Sequence, residues 1–498
     1  MSATPGAAAS VPTTSGVDTF GKVETHGIDF IPPEERHSSP KDLAWAFFGA
    51  NFNFSAFILG ALPVVFGLGW WSAATAILVG SLIGSAAFAG MAIYGPKTGT
   101  NSTVSSGAVF GIRGRYVGSF IAQIIDLGFF ALVTWAGAEA LLTTAHRLFG
   151  TGTGNGPLAV ALGIAAAITL VIGILGHATV VANEKFVSIS NVIVFAIVII
   201  LAASHFHLHQ KGAPLALGSY WPTWLLAITV AIVNATSYGP FAGDYSRYIP
   251  EKTSSWRVFG AAFGGMFLSN LLSLLIGAFI GLAIANPTDP ITGMLEFPGK
   301  VLLVPIFLLS FFANCCNGSM CVYNGSLDLH AILWRLQRFQ VGIVFGVVGL
   351  AAAYLGTVVF NAVNSINALV SIVTVLVTPW MMINIIGYFE QRGSFDHDQL
   401  QAFGQRGSLY WYAGGFNLRA VLAWGVGLIV GLMFSNTSLM TGPLSSTASG
   451  VDLSFISSAV VGSLVYLLVP HSLAHLRLAA APAESAAVEQ PASDVVLP

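Results

Sequence analysis

The sequence has few charged residues for its length. Only 8% of its 498 residues are Asp, Glu, Lys or Arg, whereas about a quarter of residues carry a charge in a typical soluble domain. Hydrophobic residues make up 55% of the chain, which is more than a soluble core can bury. This composition excludes a soluble globular protein and indicates one that is embedded in a membrane.

Cysteine is also scarce, and basic charge does not dominate. Cys315, Cys316 and Cys321 all lie in one apolar segment, where adjacent cysteines form a disulfide only through a strained ring and no second pair has metal-ligand spacing. The sequence therefore predicts neither a structural disulfide nor a metal site, and we expect no cofactor. The formal net charge of -2 predicts no surface for nucleic acid.

Apolar segments long enough to cross about 30 Å of hydrocarbon recur from Asp42 to Pro470. They predict an all-α membrane protein with about twelve membrane spans, numbered here in chain order. The predicted spans are residues 42–68, 70–94, 116–147, 157–177, 185–206, 223–243, 257–285, 300–328, 339–360, 363–389, 418–436 and 454–470.

Lysine and arginine predict the orientation, because they accumulate in the cytoplasmic loops of membrane proteins. If the N-terminus is cytoplasmic, only Arg147, Lys211 and Lys300 of the 19 Lys and Arg lie outside. A wrong span count would invert every later loop and remove this asymmetry. We therefore predict a multi-pass protein of the cell membrane with both termini in the cytoplasm. The first apolar run begins only near residue 42, so we expect no cleaved signal peptide.

Two spans contain polar and helix-breaking residues where a membrane helix would be apolar. In span 1, Asn51 and Asn53 interrupt the segment Gly49–Pro63, and in span 6 a Gly-Pro pair interrupts Asn234–Tyr248. Irregular backbone at membrane depth is tolerated where it lines a cavity. Broken helices at corresponding positions of two inverted repeats indicate the central site of a transporter. Ordinary helix kinks are the alternative interpretation.

This correspondence predicts a domain organisation of five plus five spans with two extra helices. The predicted parts are a disordered cytoplasmic tail at 1–41, a ten-helix core at 42–389 with repeats at about 42–206 and 223–389, a cytoplasmic loop and helices 11 and 12 at 390–471, and a disordered cytoplasmic tail at 472–498.

Polar residues inside the other spans are candidates for function, since ionisable groups are expensive in the bilayer. Span 3 holds Asp126 and Glu139, which lie thirteen residues and so about 20 Å apart on a helix, too far to act as an acid pair. Asp126 lies one turn before Phe129, which predicts a carboxylate beside an aromatic face. Asn314 and Asn317 in span 8 present amides that donate and accept. Hydrogen bonding between helices is the alternative role for these residues.

Three segments resemble one known family. GDYSRYIP at Gly243–Pro250 resembles the signature that ends span 6 in the nucleobase–cation symporter family, the purine–cytosine permeases. The segment Tyr94–Gly114 resembles that family's sequence after span 2, and Asn364–Phe389 resembles its span 10. The resemblance covers about residues 30 to 475.

The resemblance implies a leucine-transporter-like fold and cation-coupled uptake of a nucleobase or related heterocycle, bound between spans 1, 3, 6 and 8. The residues that it places at the substrate are Asn53, Asp126, Phe129, Asn234, Tyr238, Asn314 and Asn317. The candidates for cation coupling are Asp126, Glu139, Gly49 and Asn51. The oligomeric state stays open.

The coupling ion is expected to be a proton rather than sodium. Sodium-coupled relatives have Ser or Thr hydroxyls just before the span 8 asparagine, because a hard cation requires oxygen ligands. This chain instead has Phe312 and Ala313 before Asn314, and Cys315 and Cys316 before Asn317. A proton could bind to Asp126 or Glu139.

The ionised carboxylate of Asp126 only accepts hydrogen bonds, so it suits a ligand edge with two N–H groups. This favours a purine such as guanine, or a ureido ring such as allantoin, over cytosine. The alternative function is an amino-acid or polyamine permease of the same fold. A membrane enzyme would need converging ionisable groups, whereas the mid-span positions offer only Asp126 and Glu139.

Overall fold

The computed structural model describes residues 28–174, 177–209, 213–332, 336, 338–359, 362–403, 405–436, 441–448 and 450–472. Most of both predicted tails therefore lies outside the described residues. The described ranges are almost entirely helical and contain no β-strand, only two isolated bridges, Ala413 with Phe416 and Asn436 with Thr441. The prediction of an all-α membrane fold is confirmed.

The long helices follow the predicted spans. They are Pro40–Asn51 and Phe54–Val65 in span 1, Trp70–Ala92 in span 2, Tyr116–Phe149 in span 3, Asn155–Ile174 in span 4, His177–Ala202 in span 5, Tyr220–Thr236 and Ala242–Ser246 in span 6, Ser255–Ala283 in span 7, Lys300–Ile332 in span 8, Arg338–Tyr354 in span 9, Ala362–Glu390 in span 10, Leu418–Phe434 in span 11 and Ser454–Leu468 in span 12.

Nine helices of the described part of the chain are long and apolar enough to cross a membrane, or ten if the bent pair in span 1 is one span. Leu418–Phe434 and Ser454–Leu468 are apolar but shorter, at 17 and 15 residues. The count of twelve spans stays a prediction.

Short helical segments lie between and beside the spans. They are the 3-10 helices Pro33–Glu35, Ala203–His205, Gly239–Phe241 and Ser445–Ala448, the π-helix Leu355–Val359 and the α-helices Tyr94–Thr98, Ser102–Ser105, Gly107–Phe110, Pro290–Glu296 and His397–Leu400.

The break that the sequence predicts in span 1 lies between Asn51 and Phe54. Asn53 has an extended backbone and caps the second helix, because its side chain accepts a hydrogen bond from the Ala56 N–H. Asparagine is a preferred N-cap residue for this reason. The two helices meet at an angle of 54°, and the carbonyl groups before the break lose their partners within the helix.

Span 6 is broken at the Gly-Pro pair. Its first helix ends at Thr236, a 3-10 turn covers Gly239–Phe241, and a short helix begins at Ala242. Pro240 has no N–H to donate to a regular helix. A Cβ atom at Gly239 would lie 2.5 Å from the Met381 Sδ of span 10, so the turn packs closely against that helix.

Spans 3 and 8 pack along each other beside these two breaks, and span 7 packs behind span 1. Spans 11 and 12 pack on each other and against span 10, away from the breaks. The arrangement brings the irregular backbone of spans 1 and 6 together with regular helical faces of spans 3 and 8. The candidate site lies at this junction.

Candidate functional site

A small cavity lies between the two breaks and spans 3 and 8. Its volume is about 30 Å³, which accommodates about two water molecules. A flat heterocycle requires side chains to move before it can enter this cavity. The cavity is lined by Ile125, Asp126, Phe129, Ser237, Tyr238, Phe241, Asn317, Met320, Cys321 and Asn324.

The carboxylate and the aromatic ring that the sequence pairs on span 3 both face this cavity. Asp126 is only 2% exposed, and its Oδ2 atom has no hydrogen-bond partner. Across the cavity on span 8, the Oδ1 atom of Asn324 is also buried without a partner. Buried polar atoms are normally hydrogen-bonded, and each unsatisfied one costs about 1–3 kcal/mol. A ligand that donates N–H groups would satisfy both acceptors.

The carbonyl oxygen of Ala50 holds the broken backbone of span 1 to spans 6 and 8. The Tyr238 hydroxyl donates to it at 2.9 Å, and the Asn317 amide donates at 2.7 Å. The Asn53 amide also donates to it, at 2.5 Å. The break frees this carbonyl from the helix, so side chains of three spans can share it. The structure therefore brings Asn53, Tyr238 and Asn317 together at one carbonyl.

Asn234 lies outside the cavity, in a cluster of asparagines behind the break. Its amide donates to Asn51 Oδ1 at 3.0 Å and to Asn270 Oδ1 at 2.6 Å. Asn270 in turn donates to Ser81 Oγ at 2.9 Å. These amides satisfy one another in the interior and connect spans 1, 2, 6 and 7. The arrangement resembles polar contacts between helices rather than a solute contact.

Asn314 and Glu139 also lie away from the cavity. The Asn314 amide donates to the Val133 carbonyl of span 3 at 2.5 Å, and Glu139 accepts a hydrogen bond from the Trp135 indole at 3.1 Å. Both positions lie towards the predicted outer side. Neither residue lines the cavity in this conformation.

The other carbonyl groups freed by the span 1 break also have donors. The Ser273 hydroxyl donates to the Asn51 carbonyl at 3.1 Å, and the Asn191 amide of span 5 donates to the Phe52 carbonyl at 2.7 Å. Gly49 is buried in the last turn before the break. The three consecutive carbonyls of residues 50–52 therefore all have protein donors.

Several cavity residues were not predicted from the sequence. On span 8, Cys321 and Asn324 lie four and seven residues after Asn317, a spacing that places all three on one helical face. This helical spacing from Asn317 is a sequence signal that could have identified Cys321 and Asn324. Ser237 and Phe241 lie in the irregular segment of span 6, where no helical period applies.

A larger cavity of about 240 Å³ lies towards the predicted outer ends of spans 1, 6 and 10. It shares no lining residue with the smaller one. No group of three or more His, Cys, Asp or Glu that could hold a metal ion occurs in the part of the chain that the structure describes.

Sequence relatives point to one family. YxlA of Bacillus subtilis, a candidate purine-cytosine permease by its name, is 27% identical over 463 residues, which cover 90% of this chain and 96% of that protein. The purine-cytosine permease FCY21 of Saccharomyces cerevisiae is 25% identical over 356 residues, which cover 66% of this chain and 64% of that protein.

Solved structures show the same fold. Mhp1, a nucleobase-cation-symport-1 family transporter, in a closed conformation with bromovinylhydantoin bound, covers 91% of this chain and 94% of its own, with a TM-score of 0.68 and 18% identity. The inward-facing conformation of Mhp1 gives a TM-score of 0.70 with 20% identity, over 89% and 94% of the two chains. The leucine-transporter-like fold is therefore confirmed.

The family described as permeases for cytosine/purines, uracil, thiamine and allantoin matches residues 30–462. This match covers most of the chain and includes all three segments on which the resemblance rests. The chain therefore belongs to this family of permeases and is a multi-pass membrane transporter.

Proposed function

We propose that this protein imports a nucleobase or a related nitrogen heterocycle by cation symport and alternating access. The observation that carries the proposal is the cavity that Asp126, Phe129 and Asn324 share. It offers an aromatic face beside two buried oxygen acceptors without partners. We place the protein in the cell membrane with both termini in the cytoplasm, as the distribution of Lys and Arg predicts.

The acceptors favour a ligand edge that donates. Asp126 accepts through carboxylate oxygens when it is ionised, and the free atom of Asn324 is also an oxygen. Guanine presents two adjacent N–H groups on one edge, and a ureido ring such as allantoin also presents N–H groups. Neutral cytosine and adenine pair a donor with an acceptor and would leave one of the two oxygens unsatisfied. We therefore propose that the protein prefers a purine with two adjacent N–H groups, or a ureido ring, over cytosine.

A proton is the proposed coupling ion. The carbonyls of residues 50–52 have amide or hydroxyl donors, and sodium would have to displace them. Asp126 has an unpartnered oxygen that can bind a proton. Glu139, hydrogen-bonded to Trp135, is the second proposed acceptor.

An amino-acid or polyamine permease is the alternative. The cavity lining contains one carboxylate and neither Lys nor Arg, so an amino acid's carboxylate would face Asp126 without a positive partner. A polyamine would suit Asp126 but gain nothing from the aromatic and amide groups that lie around a flat space. A heterocycle would contact the carboxylate, the aromatic ring and the amides of the lining, which neither an amino acid nor a polyamine would do.

The test is uptake of radiolabelled guanine, hypoxanthine, adenine, cytosine, uracil, allantoin and hydroxymethylpyrimidine by cells that produce the protein. Each solute is measured with and without sodium and with an uncoupler. We expect guanine or allantoin to accumulate in an uncoupler-sensitive, sodium-independent manner. Uptake that requires sodium and survives the uncoupler would refute proton coupling. Radiolabelled amino acids and polyamines are measured in the same cells, and their uptake without that of any heterocycle would support the alternative function.

A further inference from the structure

Two further carboxylates lie just beyond the cavity, towards the predicted cytoplasmic end. Asp328 comes four residues after Asn324 on span 8 and lies on the same helical face, about 6 Å farther along the helix. Asp244 follows Phe241 by three residues at the end of span 6. Both carboxylates are buried, with at most 1% of either residue exposed. Neither is assigned a role by the substrate site.

A short helix, Ser102–Ser105, lies against these two carboxylates on the predicted cytoplasmic side. The Thr103 hydroxyl donates to Asp328 Oδ1 at 2.7 Å. The Ser102 N–H donates to Asp244 Oδ1 at 3.3 Å, and the Gly243 N–H donates to the Ser102 hydroxyl at 2.7 Å. The segment thus holds spans 6 and 8 together below the cavity.

The second oxygen of Asp328 has no partner, although it is fully buried. The charged groups that interact electrostatically with this carboxylate are Arg115 and Asp244. Asp328 also interacts electrostatically with Asp126. The Nε and Nη1 atoms of Arg115 are buried and form no hydrogen bond. A buried ionised carboxylate without a paired cation is costly. Binding a proton at the free oxygen removes that cost.

A contact between spans 3 and 8 lies between Asp126 and Asp328 along the chain direction of each helix. The Gln123 amide of span 3 donates to the Gly325 carbonyl of span 8 at 2.7 Å. Asp126 and Asp328 each follow one of these residues by three positions. Spans 3 and 8 run in opposite directions in the predicted topology, so Asp126 and Asp328 lie on either side of this contact, about 9 Å apart along the helices. A proton therefore passes between them through water.

We infer that Asp328 carries the coupling proton from the cavity to the cytoplasm, an inference that rests on the proposed proton-coupled import. Asp126 takes a proton from the outer solution and passes it to Asp328. The transfer leaves Asp126 ionised and able to accept the N–H groups of the heterocycle. When Ser102–Ser105 moves away, Asp328 releases the proton to the cytoplasm and returns to its ionised form. One proton enters with each solute, and no other covalent bond changes.

The competing interpretation is that Asp328 only anchors the short helix through Thr103. Two variants separate these roles. Asp328→Asn removes the proton-binding group but keeps an oxygen that accepts from Thr103. Thr103→Val removes the hydrogen bond but keeps the carboxylate. If Asp328 carries the proton, only Asp328→Asn loses the coupling. If Asp328 only anchors the short helix, Thr103→Val is the more damaging variant.

The experiment uses the full chain in proteoliposomes with radiolabelled guanine, or with the panel member that the parent accumulates most. Accumulation driven by an imposed pH gradient and equilibrium exchange without a gradient are both measured. We expect Asp328→Asn to lose accumulation and retain exchange, and Thr103→Val to retain both. Asp398→Asn, on an exposed residue of the short helix His397–Leu400, is the control and should match the parent.

Transport by the parent protein distinguishes failure of the proposed function from failure of the role inferred for Asp328. If no heterocycle exchanges in the parent, the proposed function is wrong. If the parent accumulates the heterocycle with the pH gradient and Asp328→Asn does so equally well, only the role of Asp328 is overturned. Loss of exchange in Asp328→Asn would also overturn it, because a proton carrier is not needed for exchange. Should Asp328→Asn be absent from the membrane, Asp328→Glu is measured, and a pH profile identical to that of the parent would contradict the inference.

Discussion

Asp126 combines burial, an unpartnered oxygen and a position beside an aromatic ring. We predict that Asp126→Asn lowers uptake of the preferred heterocycle by at least about tenfold, since a charge-assisted hydrogen bond contributes about 1.5–3 kcal/mol. Phe129→Ala should raise the concentration needed for half-maximal uptake, because it removes the stacking face. Both are measured as initial uptake rates corrected for protein in the membrane. An Asp126→Asn variant that transports like the parent would reduce Asp126 to a contact between helices.

The sequence identified part of this site at the level of residues. Asp126, Phe129, Tyr238 and Asn317 line one cavity, and Asn53 contacts its wall. Residue type and helical spacing indicated the first two, which lie on one regular helix. Asn234 lies behind the break instead, because the direction of a side chain next to an irregular segment does not follow from a helical period. Asn314 lies one turn from Asn317 and contacts span 3 instead.

Cys321 provides a native probe of the cavity. It lines the cavity and is half-buried, whereas Cys315 and Cys316 are buried. We predict that, with Cys315 and Cys316 replaced by Ala, a small thiol reagent modifies Cys321 and a bound heterocycle slows this modification. Mass spectrometry of the labelled protein measures the rate. The parent's Cys315 should remain unmodified under the same conditions, and equal rates with and without solute would place the solute elsewhere.

At the scale of elements, glycines determine how closely span 7 approaches span 1. A Cβ at Gly277 would lie 2.1 Å from the Phe57 carbonyl oxygen, and one at Gly60 would lie 2.3 Å from that of Leu274. Gly264, on the same helix of span 7, has nothing within 4 Å of an added Cβ. Spans 1 and 7 therefore pack backbone against backbone at Gly60 and Gly277.

We predict that Gly277→Ala destabilises the protein and Gly264→Ala does not. Overpacking a close contact typically costs about 1–3 kcal/mol, and here the clash involves backbone that cannot rotate away. Thermal unfolding of the purified protein in detergent should show a lower midpoint for Gly277→Ala. Equal midpoints for the two variants would mean that span 7 can shift away from span 1 without cost.

The sequence located the broken elements but not the short helices around them. Both breaks interrupt apolar runs, one at Asn51 to Asn53 and the other at the Gly-Pro pair. Such residues are tolerated at membrane depth only where the backbone is shielded from lipid, so the sequence identifies both positions. Ser102–Ser105 has four residues, too few to show a helical period, and its Ser and Thr side chains favour turns as readily as helices. Its closing contacts with Asp244 and Asp328 depend on tertiary structure alone.

At the scale of the whole molecule, residues before span 1 contact the loop after span 2 at the predicted cytoplasmic end. Arg36 donates to the carbonyls of Ile31 at 2.9 Å and Pro96 at 3.0 Å, and its guanidinium lies over the Phe30 ring. Burial lowers the pKa of the Arg36 guanidinium, which the nearby Glu251 and Glu34 oppose. The Ile31 N–H also donates to the Gly99 carbonyl. This segment thus covers the same loop that holds Asp328.

We predict that Arg36→Gln favours opening towards the cytoplasm, because a neutral amide cannot replace the charged contacts across the loop. Cys321 should then react faster with an impermeant thiol reagent in inside-out vesicles. Arg406→Gln, at an exposed position of the loop before span 11, serves as the control. A Cys321 rate unchanged in Arg36→Gln would show that the Arg36 contacts do not hold the cytoplasmic end closed.

The orientation of the whole molecule is the last prediction, because every statement about a cytoplasmic side depends on it. Only Arg147, Lys211 and Lys300 among the 19 Lys and Arg lie on the predicted outer side. We replace the native cysteines with Ala and introduce a single cysteine at position 406 or 211, the second of which lies outside the described residues. An impermeant thiol reagent added to intact cells should label position 211 and spare position 406, and lysis should expose both. Labelling of 406 with protection of 211 in intact cells would invert the protein in the membrane, and Asp328 would then release its proton to the outside.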